Sequence, residues 1–451
     1  MSSGSSFAPA PPLSWWGRLV ALVRRPAALG AATLVAATSM GTFSAAWAQA
    51  KAVRIDMWVH AGPGPEAEAY GQAVAAFEAR NPDVKVTLTR LPEGTYSDQV
   101  NAAAVARQLP CLLDFDGPNV TNYAWTKRLV PLDGFEELAS ARADLLPSIL
   151  RQGSFAGRLY SMGQFDSGLA LWGNRRLLEQ AGARLPRGVD DSWSREEFEA
   201  LLARLKAVGV PVPLDMKFNY GVGEWFTYGF SPLLQSFGGD LVERPSLARS
   251  QGTLDGAASV QAMRMLQGWV SQGWVRPGTK DDGDFASGRA ALAYVGHWIW
   301  RDAQRALGDD LLLLPMPRFG VRAATGAGSW NFGISANCRH PRAAARLLAH
   351  LMTPGEVLRV TRANGAVPAT RSALAQSVAY GPGGPLRLYV EQIERGIAVV
   401  RPQTPAYPVI TSAFAEALNN IVAGADVQRE LTRAARRIDE EIADNRGYPV
   451  R

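Results

Sequence analysis

The chain has 451 residues, with 47 Lys and Arg against 41 Asp and Glu, a formal charge of +6 and two cysteines. Its charges are interspersed and nearly balanced, which excludes the basic stripe of a nucleic-acid binder. Two cysteines exclude a disulfide-framework scaffold and any four-cysteine zinc site, although Cys111 and Cys338 could still form one bridge in an oxidising compartment.

The first fifty residues read as an export signal. Arg18, Arg24 and Arg25 form a basic flank, residues 27–46 are small, apolar and uncharged, and Ala46-Trp47-Ala48 and Ala48-Gln49-Ala50 are overlapping small-x-small cleavage sites. The run is rich in Ala, Gly, Ser and Thr and weak in Leu and Ile, which argues against a retained membrane anchor. No cysteine lies near the cleavage site, closing the lipoprotein route, and Pro26-Ala27-Ala28 after the arginine pair matches a twin-arginine signal poorly. The general secretory route and a periplasmic mature protein are therefore expected, with cleavage after Ala48 or Ala50. Removing three arginines and no acid leaves the mature chain from Lys51 at +3. Its roughly 400 residues predict two domain-sized units.

Strands and helices then alternate. Val53, Ile55, Met57 and Val59 alternate with polar neighbours, as do Val84, Val86 and Leu88, so both segments are predicted strands. Between them Ala69, Ala73, Val74 and Phe77 recur at helical spacing until Asn81-Pro82. Such a strand, helix, strand unit builds a parallel sheet. Ser194 and Glu197 fit a capping box, with Trp193 and Phe198 as its hydrophobic staple. A last helix near 425–442 puts Val427, Leu431, Ala435, Ile438 and Ile442 on one stripe. Gly381-Pro382-Gly383-Gly384-Pro385 is a candidate hinge.

Standard enzyme signatures are absent: there is no GxSxG elbow, phosphate-binding GxxxxGK[ST] loop, GxGxxG or HExxH. His60, His297, His340 and His350 fall at spacings that no metal motif uses, and Asn119-Val120-Thr121 is a chance glycosylation match behind a bacterial-type export signal. A glycosidase-type carboxylate pair, distant in sequence and adjacent in the fold, stays open. The positive signal is aromatic residues beside small polar ones. Trp225, Trp298 and Trp330 each follow glycine within two residues, and a tryptophan face covers the C–H face of a sugar ring while nearby polar groups bond its hydroxyls.

The order of segments resembles that of the extracellular solute-binding proteins of ABC importers, in the carbohydrate-binding group that includes maltose-binding protein. VRIDMWVH with AFEARNPDVKVTL is similar to that family's opening strand, helix and strand, and LPCLLDFDGPNVTNYAWTKRLVPLDGF to the stretch that delivers ligand-binding residues. LYSMGQFDSGLALWGNRRLLEQAG resembles the first crossing between lobes, and WSREEFEALLARLK the helix after it. GRAALAYVGHWIW is similar to the strand ending in Gly-x-Trp, GSWNFGISANCRHPRAAARLLAHLMT to the second crossing, and RPQTPAYPVITSAFAEALNNIVAG to the C-terminal segment. The match spans essentially the whole mature chain.

The resemblance implies an α/β, two-lobed periplasmic-binding-protein fold of the class II type, its lobes joined by three hinge crossings near 165–168, 327–331 and 381–385. After a signal peptide over 1–50, the first lobe would comprise 51–166 and 331–383 and the second 167–330 and 384–451. It implies a non-catalytic receptor, without a cofactor, that captures a mono- or oligosaccharide or related polyol between the lobes. A monomer is expected, delivering ligand to an importer's membrane permease subunits with their cytoplasmic ATPase. A glycerol-phosphate-type ester as ligand, or a secreted polysaccharide hydrolase or lyase, is the alternative. The site residues it implies are Asp116 and Asn119 after a first-lobe strand, Asp166 and Ser167 at the first crossing, Trp225, Trp298 and Trp330 as stacking platforms, and Arg401 and Tyr407 in the C-terminal segment. Arg401 suits bidentate bonding to vicinal hydroxyls or a carboxylate, or an ion pair that fixes its loop. Cys111 stands where the family commonly has an acidic residue. The family topology places it at the start of a strand beside the one that Cys338 ends, so either a Cys111 to Cys338 disulfide or two buried thiols would follow.

Overall fold

A computed structural model describes residues 52–450, apart from 61, 63, 245 and 280. The export signal and its cleavage sites lie outside the described residues.

The alternation of Ile55, Met57 and Val59 with polar neighbours makes β1 (Val53–His60), whose apolar side is buried while Trp58 faces the opposite layer. The helix Gly64–Arg80 carries the chain back over the sheet to β2 (Val84–Leu91), and Glu93–Val105 leads to β3 (Leu112–Asp116). Because each connection is a helical crossover, β1 pairs in parallel with both, Val53 opposite Val84 and Met57 opposite Leu112. A short hairpin, β4 (Ser154–Phe155) and β5 (Arg158–Leu159), precedes the two-residue β6 (Phe165–Asp166).

The second sheet takes β7 (Leu169–Asn174), β8 (Val212–Asp215), β9 (Ala290–Gly296) and β10 (Leu311–Leu314) in the order β10-β7-β9-β8. β9 is buried along its whole length, as its run of apolar residues requires of a strand covered on both faces. The helix Arg195–Ala207 beside it starts with the expected capping box, and the Trp193 and Phe198 rings meet at 5.9 Å. The last helix, Val427–Asp444, is capped by the Asp426 side chain and buries the expected stripe.

The chain then returns through β11 (Thr325–Ala327) to β12 (Trp330–Ile334), which joins the first sheet antiparallel to β3 and gives the order β12-β3-β1-β2. Cys111 immediately precedes β3. Its disulfide partner Cys338 lies in the turn beyond β12, not at the strand's end as expected, with Cα atoms 4.3 Å apart. Two small pairings knit the junction between the sheets: β13 (Val367–Pro368) with β6, and β14 (Ala398–Val400) with β11. Each sheet has its own apolar core. Ala373 belongs to the first, whereas Tyr380, Leu386 and Tyr389 belong to the second, so the Gly381–Pro385 turn sits between residues already packed in the second core.

Candidate functional site

Four strands end toward one cavity. β1 ends at His60, β3 at Asp116, β8 just before Lys217 and β9 just before His297 and Trp298, and all of these residues line a cavity of about 530 Å³. The carboxyl ends of parallel strands in an α/β sheet are where ligands bind, because the loops there are free of packing duties. Two such sheets share this cavity.

Its aromatic walls come from both sheets. On one side the His60 imidazole lies flat on Trp330, with centroids 3.9 Å apart and planes 9° from parallel, and Tyr96 meets Trp330 edge-on at 5.3 Å. On the other, Trp298 donates its indole N–H to Tyr220 at 2.9 Å, and Trp225 stands at 85° to it, centroids 6.0 Å apart. Gly296 explains the Gly-x-Trp spacing. A methyl group there would fall 2.0 Å from the Trp298 ring, so only glycine lets the indole fold back over the strand end.

The polar floor is a chain of paired groups. Arg401, buried after β14, gives its two terminal nitrogens to Asp116 at 2.5 and 2.6 Å and contacts Glu224 as well. Its guanidinium also lies 4.7 Å from the Tyr228 ring centre. Asp116 belongs to the first sheet and Glu224 opens the helix Glu224–Ser236 over the second, so one arginine ties a carboxylate from each side. Burial pushes the Glu224 carboxyl up to about 7, against the opposing pull of Arg401. Tyr407 and Thr411 hydrogen-bond the same carboxylate, Thr411 at 3.0 Å. Next to them Tyr228 donates to Ser167 at 3.2 Å, and Ser167 lies 2.8 Å from His297 Nε2. The other ring nitrogen lies 2.8 Å from the Asn364 carbonyl, which can only accept, so the proton is assigned to Nδ1 and Nε2 accepts from Ser167. Burial holds the His297 ring down to about 4, so it stays neutral at ordinary pH.

Of the residues expected from sequence, Asp116, Ser167, Trp225, Trp298, Trp330 and Arg401 line the cavity. Asn119, Asp166 and Tyr407 do not. Asn119 turns inward to donate to the Asp116 carbonyl at 3.3 Å, Asp166 accepts from the Ser167 amide at 2.9 Å and Gln152 at 3.3 Å, and Tyr407 is spent on Glu224. Sequence reasoning missed His60, Lys217, Glu224, Tyr228 and His297. Two of these carry a usable signal in the sequence, His60 at the end of a predicted strand and His297 directly after an apolar one, whereas their spacing speaks only against a metal motif.

Two α/β lobes that turn strand ends toward a shared, aromatic-walled cavity define a two-lobed solute-binding protein, a receptor and not a catalyst. The bacterial extracellular solute-binding protein family model matches residues 72–381, and the chain belongs to that family. The fold is similar to that of the GacH receptor of Streptomyces glaucescens, solved unliganded and with acarbose, at TM-score 0.74 and 21% identity over 88% of this chain and 98% of that one. It is also similar to maltotriose-bound MalE from Bdellovibrio bacteriovorus (TM-score 0.73, 19% identity, 87% and 100% covered) and to the sugar-binding protein MalE of Xanthomonas citri (0.67, 21%, 87% and 98%). Family membership makes this an exported, periplasmic protein of a class that works with membrane permeases. Among the described residues no helix is long and apolar enough to cross a membrane.

Proposed function

We propose that the protein captures a carbohydrate in the cavity between its lobes and hands it, unchanged, to the permease subunits of an ABC importer driven by a cytoplasmic ATPase. The observation that carries this reading is the pairing of aromatic faces with hydroxyl-bonding groups: Trp225, Trp298 and Trp330 beside Asp116 and Arg401, in a cavity of the size that small ligands occupy. The sugars named for the similar structures support it. In this reading Asp116 and Ser167 bond ring hydroxyls, the three tryptophans stack on ring faces, and Asn119, Asp166 and Tyr407 position their neighbours. The lobes are taken to divide at 51–166 with 331–383 and 167–330 with 384–451, although the change of core between Ala373 and Tyr380 comes before the expected third crossing at 381–385. Export by a signal peptide cleaved after Ala48 or Ala50, and action as a monomer, complete the proposal.

A thermal-shift screen of the chain from Lys51 against monosaccharides, oligosaccharides, polyols, sugar acids and glycerol phosphates tests it, each hit being recovered and analysed. Ligand at about a hundred times its dissociation constant adds about 2.7 kcal/mol, a visible shift. A shift with one sugar class and intact ligand is the expected result; silence across all carbohydrates, or recovery of cleaved product, refutes it.

A further inference from the structure

The cavity carries an excess of acid. Glu66, Asp116, Glu224, Asp282 and Asp302 line it, against Lys217 and Arg401 as the only Lys or Arg among the described lining residues; Asp302 stands at the rim, 76% exposed and 3.4 Å from Arg305, and Glu224 is only partly ionised near pH 7, so Glu66, Asp116 and Asp282 carry the excess. Both bases are already held between two carboxylates. Arg401 is clamped by Asp116 and Glu224, and Lys217 Nζ lies 2.8 Å from Asp215 and 3.1 Å from Asp282; their side chains are 3% and 1% exposed. His60 likewise lies between Asp114, at 2.6 Å, and Glu66, at 3.8 Å, while burial keeps His297 uncharged.

Recognition of a carboxylate or phosphate needs converging donors, best a free guanidinium fork. Here the fork is closed on Asp116. Four donors on lining residues are buried without a partner among the described residues, Trp225 Nε1, Arg401 Nε, Ser329 Oγ and Asn364 Nδ2, and none is charged apart from the Arg401 group already clamped, so a hydroxyl or ring oxygen satisfies each. An anion would have to break one of the two clamps, uncovering a buried acid, while facing the buried Glu66, with the more exposed Asp282 and Asp302 adding a screened repulsion at the rim.

We infer that the cleft ranks its ligands by charge, taking amino sugars and neutral sugars and rejecting sugar acids and sugar phosphates, with Arg401 and Lys217 serving as internal counter-ions to the cleft carboxylates and not as anion receptors. This rests on the carbohydrate reading above and narrows it. It also sets aside the glycerol-phosphate-type ligand and the use of Arg401 on a ligand carboxylate.

The test is calorimetric titration at pH 7 and low ionic strength with a matched set: the neutral sugar found in the screen, its 2-amino analogue, its uronic acid and its 6-phosphate. The amino sugar should bind at least as tightly as the parent, and the acid and phosphate at least about tenfold more weakly, the gap narrowing with added salt. An acid or phosphate that binds as tightly as its neutral parent overturns the charge ranking and leaves the carbohydrate reading intact. Failure of every member to bind overturns both. A second arm uses Asp282→Asn, a residue whose side chain is 57% exposed, so that folding is little affected while Lys217 loses one of its two counter-ions. The ratio of neutral to acid affinity should fall by at least about threefold; an unchanged ratio refutes the counter-ion role.

Discussion

Gly296 and Trp298 show how one missing side chain sets a binding surface. Gly296 has φ −83°, a conformation open to any residue, so its glycine is required by the indole above it and not by the backbone. Gly296→Ala should therefore leave the fold intact by circular dichroism, push Trp298 off the strand end, and weaken ligand binding by at least about tenfold, or roughly 1.4 kcal/mol. Unchanged affinity in a folded variant would remove Trp298 from the site. The same pair marks the limit of reading residues from sequence. Gly-x-Trp after an apolar strand was legible because the spacing is local. Glu224 was not, since what makes it part of the floor is Arg401, 177 residues away, and nothing in Gly223-Glu224-Trp225 announces that partner.

At the scale of elements, periodicity carried most of the fold. β1, β2 and the helix between them follow from alternating and helical apolar spacing, the helix at Arg195 from its capping box and that at Val427 from its apolar stripe. The two-residue strands β6 and β13 carry no pattern long enough to detect, yet their pairing helps join the lobes. The disulfide belongs to this scale too. It fastens the approach to β3 to the turn beyond β12, two neighbouring elements of the first sheet, across 227 residues of chain. Closing so long a loop restricts the unfolded chain, so Cys111→Ser with Cys338→Ser should lower stability by about 2–5 kcal/mol in chemical denaturation. Ligand affinity should change less than about twofold, because the bridge lies within one lobe, away from the cavity lining. Identical melting of the oxidised and reduced wild-type protein would contradict this.

Across the whole molecule, each lobe has its own apolar core, with a further apolar cluster on the other face of the first sheet, and polar groups bridge the seam between them. Arg401 touches a carboxylate from each side of the seam, and β6–β13 and β11–β14 are the backbone pairings at the junction. A ligand that fills the cavity adds contacts to both lobes only when they approach, and so favours the closed arrangement by its differential affinity. Small-angle scattering should accordingly show a lower radius of gyration at saturating ligand. An unchanged radius with full occupancy would mean that the ligand is held by one lobe alone.

His60, Asp116 and Trp298 all stand at or just beyond strand ends, the first two outside the apolar cores and Trp298 only partly buried against the second. Selection can thus rewrite these loops one residue at a time while each core goes on specifying its own lobe. Under that division of labour, new diets are reached by short evolutionary paths along which every intermediate still folds.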